Sequence, residues 1–210
     1  MVELRWLPAC LAFGLLAAPA VTAPAPKKPK GHATPLAAFK AVQAALKKKD
    51  WKEAYKHRTP EAQEVQTGQA VLLAALYVNR QMANSDNKAK EKLEAVATKF
   101  GVSDKTLAKV QRDHGNLNWS NTDATYKVLK PLAKLVKDRP GFVEAVFKVV
   151  MTADSPMATA ELKGLAITGT SAEATMIFAQ QKQTYRATFA KTGGGWRMGL
   201  FYIQNQGVTP

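Results

Sequence analysis

At 210 residues, 22.8 kDa and 46% hydrophobic residues, the chain suits one compact domain behind a removable leader. Its formal charge of +14, from 30 Lys and Arg against 16 Asp and Glu, favours solubility and attraction to anionic surfaces but does not bear on the fold. The one cysteine, Cys10, falls in the leader, so the chain beyond it excludes disulfides, thiol nucleophiles and thiolate zinc sites.

Residues 1–20 read as a secretory signal peptide. Arg5 and the terminal amine form a basic start, Trp6 to Leu16 is apolar, and Ala18-Pro-Ala20 offers a small-x-small cleavage site. Val21-Thr-Ala23 is a second cleavage candidate, disfavoured because Pro24 would follow the cut. A membrane anchor is the alternative, but the apolar run is short and contains Pro8. A lipoprotein signal at Cys10 comes too early, ahead of most of the apolar region. The leader implies export to a periplasm or the extracellular space.

Residues 21–33 form a Pro- and Lys-rich tether in which proline and charge repulsion favour disorder. His32 is expected to be solvated there. Between 27 and 58 only Asp50 and Glu53 oppose Lys27, Lys28, Lys30, Lys40, Lys47, Lys48, Lys49, Lys52, Lys56 and Arg58. This stretch reads as a solvated basic face, with weak contact to anionic envelope or membrane components as its functional alternative. No aromatic–basic motif accompanies it, so no specific nucleic acid is expected.

Thr34-Pro35 opens the first helix, with Leu36, Phe39, Val42 and Leu46 on one face, and the Lys47–Lys49 run suits its negative end. Asp50 to Tyr55 predicts a short second helix. Thr59-Pro60 repeats the opening signal before a long helix to about Met82, apolar on several sides and therefore buried. Asn84–Asn87 reads as a turn. Helices follow over Lys88–Phe100, from Ser103 to near Gly115, over Asp123–Lys137 with Pro131 kinking or dividing it, and through Phe142–Val150. The loop between Asn116 and Thr122 carries Trp119 and the sequon Asn118-Trp-Ser120, which matters only in a eukaryotic secretory pathway.

After Pro156 the period becomes two. Ala160–Thr168 and Glu173–Gln180 read as strands joined at Gly169–Ser171. Thr184–Lys191 and Trp196–Tyr202 flank a glycine-rich turn and predict a hairpin. Tyr185, Ala187 and Phe189 share one face; Trp196, Met198 and Leu200 share another. Residues 204–210 are a tail. Helices followed by antiparallel strands indicate an α+β fold spanning about 34–203, with Phe39, Leu73, Leu76, Phe178, Phe189 and Trp196 in its core.

Two stretches carry a family likeness. One is Thr34-Pro-Leu-Ala-Ala-Phe39 through Leu46, followed by Lys49-Asp-Trp51-Lys-Glu-Ala-Tyr55. The other runs from Leu162-Lys-Gly-Leu through Ala174-Thr-Met, Tyr185-Arg-Ala-Thr-Phe189 and Gly194-Gly-Trp196. Together they resemble the nuclear transport factor 2-like superfamily, especially its exported bacterial members of unknown role. The resemblance covers about 34–56 and 158–202. It implies a cone-shaped pocket between the sheet and the helices, which the enlarged helical middle, 60–151, is placed to cover.

Some enzymes of that superfamily use an Asp or an Asp–His pair as acid and base. Here Asp113-His114 sits at a helix end outside the matching regions, where a histidine serves the helix dipole more simply. No nucleophile elbow, phosphate loop, zinc-protease helix or dinucleotide fingerprint is present, and three dispersed histidines (His32, His57, His114) do not make a metal set. Trp51, Tyr55, Trp196 and Tyr202 have the reach to stack on a ligand, but their periodicity favours the core. No catalytic, cofactor-binding or metal-ligating residue is therefore assigned, and no cofactor or oligomeric state. The reading favoured is an exported non-catalytic binding or interaction domain for an unknown small ligand or protein. The alternative is an isomerase- or dehydratase-like enzyme using the pocket.

Overall fold

The computed structural model describes residues 31–79, 87–117, 122–151, 153–178 and 184–203. The leader with its two cleavage candidates, Lys27, Lys28 and Lys30, residues 84–86 of the expected turn, the sequon at 118–120 and the tail 204–210 lie outside these. Among the described residues seven α-helices precede and pack against an open, four-stranded antiparallel sheet, an α+β fold.

The two Thr-Pro signals mark helix starts. Thr34 Oγ1 accepts the Ala37 N–H to cap α1 (Pro35–Lys47), and Thr59 Oγ1 accepts the Ala62 N–H to cap α3 (Pro60–Val78). Asp50, Ser103 and Asp138 cap α2 (Trp51–Lys56), α5 (Asp104–His114) and α7 (Arg139–Val150) in the same way. Asn87, expected in a turn, is the first residue of α4 (Asn87–Lys99). Pro131 ends α6 (Thr122–Leu132) early, and the chain tightens into a single 3-10 turn over Ala133–Leu135.

The strands β1 (Glu161–Thr168), β2 (Ser171–Ile177), β3 (Thr184–Thr192) and β4 (Gly195–Ile203) lie side by side in chain order. Ser171, expected in a turn, already pairs with Thr168 and Ala190. The hairpin turn narrows to Gly193-Gly194, whose φ values of 61° and 89° are those a type I′ turn demands of both central residues.

Strand β4 departs from simple alternation. Ala187 faces Phe201 while Phe189 faces Met198, so β4 carries one extra residue at Gly199–Leu200. The Thr188 hydroxyl donates to the Leu200 carbonyl at 2.8 Å inside this bulge. Because Ala187 and Phe189 share a face, the bulge puts Phe201 on the same side as Met198. Strict alternation from Trp196 would have turned Phe201 away.

Helix α3 is the hub. It touches α2, α4, α5, α6, α7 and β4, and its buried residues, from Ala62 to Val78, surround the axis. Its small residues allow the close approaches. A Cβ on Gly68 would lie 1.9 Å from the Leu129 carbonyl oxygen, so α6 lies directly against the α3 backbone. The expected core residues Phe39, Leu76, Phe178, Phe189 and Trp196 are buried. Leu73 is only half-buried because it faces a cavity. Among the described residues no helix is long and apolar enough to cross a membrane.

Gly68→Ala separates two effects of opposite sign. Helix propensity alone would stabilise by about 0.5–1 kcal/mol. Overpacking costs about 1–3 kcal/mol, and a 1.9 Å approach to backbone cannot be relieved by a rotamer. Urea denaturation should show net destabilisation of about 1–2 kcal/mol; net stabilisation would contradict the α3–α6 packing.

Candidate functional site

Between the first half of α3 and the end of β4 lies a cavity of about 370 Å³. One wall is Ala62, Val65, Gln66, Gln69 and Leu73 of α3, and the facing wall is Leu200, Phe201 and Ile203 of β4, with Tyr185 of β3 beside them. Thr125, Tyr126 and Leu129 of α6 close one side; Trp51 of α2, Phe147 of α7, Met151 just after it, and Met157 close the other. The β4 bulge is what brings Phe201 and Ile203 into the lining. Trp51 and Phe147 meet edge to face with ring centroids 5.1 Å apart, which fixes that corner. Trp51, Tyr55 and Trp196 are core aromatics as their periodicity predicts, though Trp51 also presents a surface to the cavity.

Polar side chains are a minority of this lining, and those that titrate are Arg58, Tyr126 and Tyr185. The Tyr126 hydroxyl donates to the Phe201 carbonyl in a short bond, and burial, then the neighbouring Tyr202, pushes its pKa up to about 12. The phenol is thus a fixed neutral donor. Among the described residues that line the cavity there is no aspartate, glutamate or histidine.

There is one cation, Arg58. The short link from α2 to α3 is strapped to β4: Met198 donates its N–H to the His57 carbonyl at 3.0 Å, and Thr59 donates to the Met198 carbonyl at 2.8 Å. This extended link points Arg58 into the cavity, where the residue is only 8% exposed. Its guanidinium donates from Nη2 to the Met157 sulfur at 3.3 Å and lies 5.9 Å from the centroid of the Phe201 ring. Among the described residues Nε has no hydrogen-bond partner, and neither has the buried Oε1 of Gln66 in the same lining. Burial pulls the Arg58 pKa down to about 10, which still leaves it charged at neutral pH. The sequence reading counted Arg58 within a solvated basic face. The structure corrects this: Lys52 and Lys56 before it are exposed, but its own backbone bridges to the sheet and its side chain goes inward.

On the outer side of the same strap stands His57. Its Nε2 lies 3.2 Å from Glu53 Oε1 and its Nδ1 3.0 Å from His32 Nε2, a chain of carboxylate, imidazole and imidazole. His32, expected to be solvated in the tether, is half-buried and exchanges both backbone hydrogen bonds with Trp196, at 2.9 and 2.7 Å. A backbone pairing with β4 is invisible in composition. The expected marginal pair Asp113-His114 lies elsewhere: Asp113 accepts from Lys109 at 2.7 Å and Arg112 at 3.3 Å, and neither residue of the pair lines the cavity. The Lys109 hydrogen bond, chiefly, holds the Asp113 carboxyl below its usual range. Among the described residues no three of His, Cys, Asp and Glu are grouped to hold a metal.

No model of a known protein family matches the chain, nor does any curated protein or any solved structure.

Burial, then the charge of His32, lowers the His57 pKa from the usual 6.5, with Arg197 and Lys56 adding to this and Glu53 opposing it. The unfolded chain therefore takes up a proton first as pH falls, so His57 contributes a loss of stability that begins near the ordinary histidine value and deepens until the folded pKa is passed. Urea titrations between about pH 8 and pH 5 should show a shallower acid-side loss for His57→Gln than for the wild type. Equal slopes would contradict the buried neutral imidazole.

Proposed function

We propose that the protein is an exported, non-catalytic binding domain whose cavity receives one small, largely apolar molecule. The observation that carries this is the cavity itself. Its volume of about 370 Å³ falls in the range of small-molecule sites, and its walls are mostly aliphatic and aromatic with a minority of polar side chains. Burying apolar ligand surface there is worth roughly 25 cal/mol per Å². General acid–base chemistry needs convergent groups that titrate near neutrality. The lining offers Tyr126, Tyr185 and Arg58; burial raises both phenols above their usual value, and all three keep one protonation state across that range. This supports binding over the isomerase- or dehydratase-like alternative.

We propose kinship with the nuclear transport factor 2-like superfamily on the residues quoted from 34–56 and 158–202, with which helices followed by antiparallel strands are compatible. The basic start, apolar run and Ala18-Pro-Ala20 support export. N-terminal sequencing of protein recovered from its producing cell should begin at Val21 or Pro24, and an intact Met1 would overturn export.

The neutral fluorophore N-phenyl-naphthylamine tests the cavity. It should bind the full chain saturably at one site. Leu73→Trp fills the cavity from its half-buried wall and should weaken binding at least about tenfold, or ~1.4 kcal/mol, while leaving a cooperative unfolding transition. Absence of saturable binding, or binding indifferent to Leu73→Trp, would defeat the proposal.

A further inference from the structure

We propose that the ligand is a monoanionic amphiphile, an apolar body carrying one carboxylate, and that Arg58 is the residue that takes the carboxylate. This rests on the reading of the cavity as a ligand site and names the class of ligand.

Arg58 is costly where it stands. A charged group taken out of water destabilises the fold unless it is paired, and removing an unpaired one is neutral or favourable. No carboxylate among the described residues pairs with Arg58. Its guanidinium has a thioether and an aromatic face as neighbours, both weak partners, and a buried Nε–H with none. Among the described residues carboxylates pair with cations elsewhere, and Glu53 and Glu61 flank the strap, yet Glu53 binds Lys56 and His57 while Glu61 binds Lys130. Nothing in the packing of α2, α3 and β4 needs a cation at this point, since the strap is held by backbone hydrogen bonds.

The unpartnered Nε–H, beside an Nη2 held only by the Met157 sulfur, defines the missing partner. A guanidinium presents its N–H groups as a planar fork suited to the two oxygens of a carboxylate. Arg58 is the only cation among the described residues lining the cavity, so it balances one negative charge and leaves a dianion unmatched. The apolar walls then fix the rest of the molecule as hydrocarbon or aromatic. The second orphan, Gln66 Oε1, accepts a hydrogen bond and so fits a hydroxyl or amide on the ligand body.

The test is competition against N-phenyl-naphthylamine on the full chain, with decanoate, decanol and decyltrimethylammonium as competitors. Decanoate should displace the fluorophore at a concentration at least about tenfold lower than decanol, as expected for a hydrogen-bonded buried ion pair. Decyltrimethylammonium should be the weakest of the three. In Arg58→Met decanoate should lose its advantage over decanol, read as the ratio of the two displacing concentrations measured on that variant, and the unliganded protein should melt no lower than the wild type. Arg58→Lys keeps the charge without the fork and should retain only part of the preference. The comparison of the three competitors on the wild type needs no variant to fold. Binding of the fluorophore with decanoate and decanol equal would overturn the carboxylate and leave the apolar site standing. A decanoate preference that persists in Arg58→Met would overturn the role of Arg58. Failure of the fluorophore and of decanoate alike would remove both proposals.

Discussion

Helix α3 has to be buried on every side, and the rest of the molecule is arranged to do that. An amphipathic helix needs one covering layer; a helix apolar around its axis needs several. Five helices and a strand supply them, and the small side chains of α3 set how close they come. Gly68 brings α6 against the α3 backbone. The start of α3 is fixed by the strap from His57 to Thr59, whose backbone joins the free edge of β4. Strap and α6 hold the first half of α3 facing β4, and the space between them is the cavity.

Arg58 is buried deeply enough in the lining of that space to make its charge expensive. Structural arginines earn their position by pairing; Arg58 is surrounded by sulfur, an aromatic face and an unfilled donor position. The fold has acceptors nearby in sequence and gives them to lysines and to His57 instead. On the proposal made here, such a residue gains its partner when a ligand enters. The neutral Tyr126, tied to the Phe201 carbonyl, adds rigidity to the β4 wall without offering a titrating group.

Much of the fold was legible because it is written in local rules. Thr34-Pro35 and Thr59-Pro60 mark helix starts through capping, and period-two patterning with Gly193-Gly194 marks the last hairpin. The cavity was less so. Its lining depends on the extra residue at Gly199–Leu200, which shifts Phe201 and Ile203 to the inner face; a bulge has no signature in alternation except its failure. Arg58 was hidden by its company, since a cation in a lysine-rich stretch reads as solvent-facing until the pairing of its backbone with Met198 is known. His32 was hidden by the same long-range pairing, to Trp196 across most of the chain. Each of these three depends on contacts with β4, the element furthest from them in sequence or altered by its own irregularity.

The central claim is that Arg58 holds an open hydrogen-bonding position inside the cavity. It is read most directly by NMR of the guanidinium Nε–H groups, with the Arg58 signal assigned as the one missing from Arg58→Met. The account predicts an Arg58 Nε–H signal that persists in the unliganded protein through slow exchange with water. Saturating decanoate should move it downfield, as hydrogen bonding to a carboxylate does, while saturating decanol should leave it in place. An Arg58 signal that exchanges as fast as those of surface arginines, or one that decanoate at saturation does not move, would contradict the account.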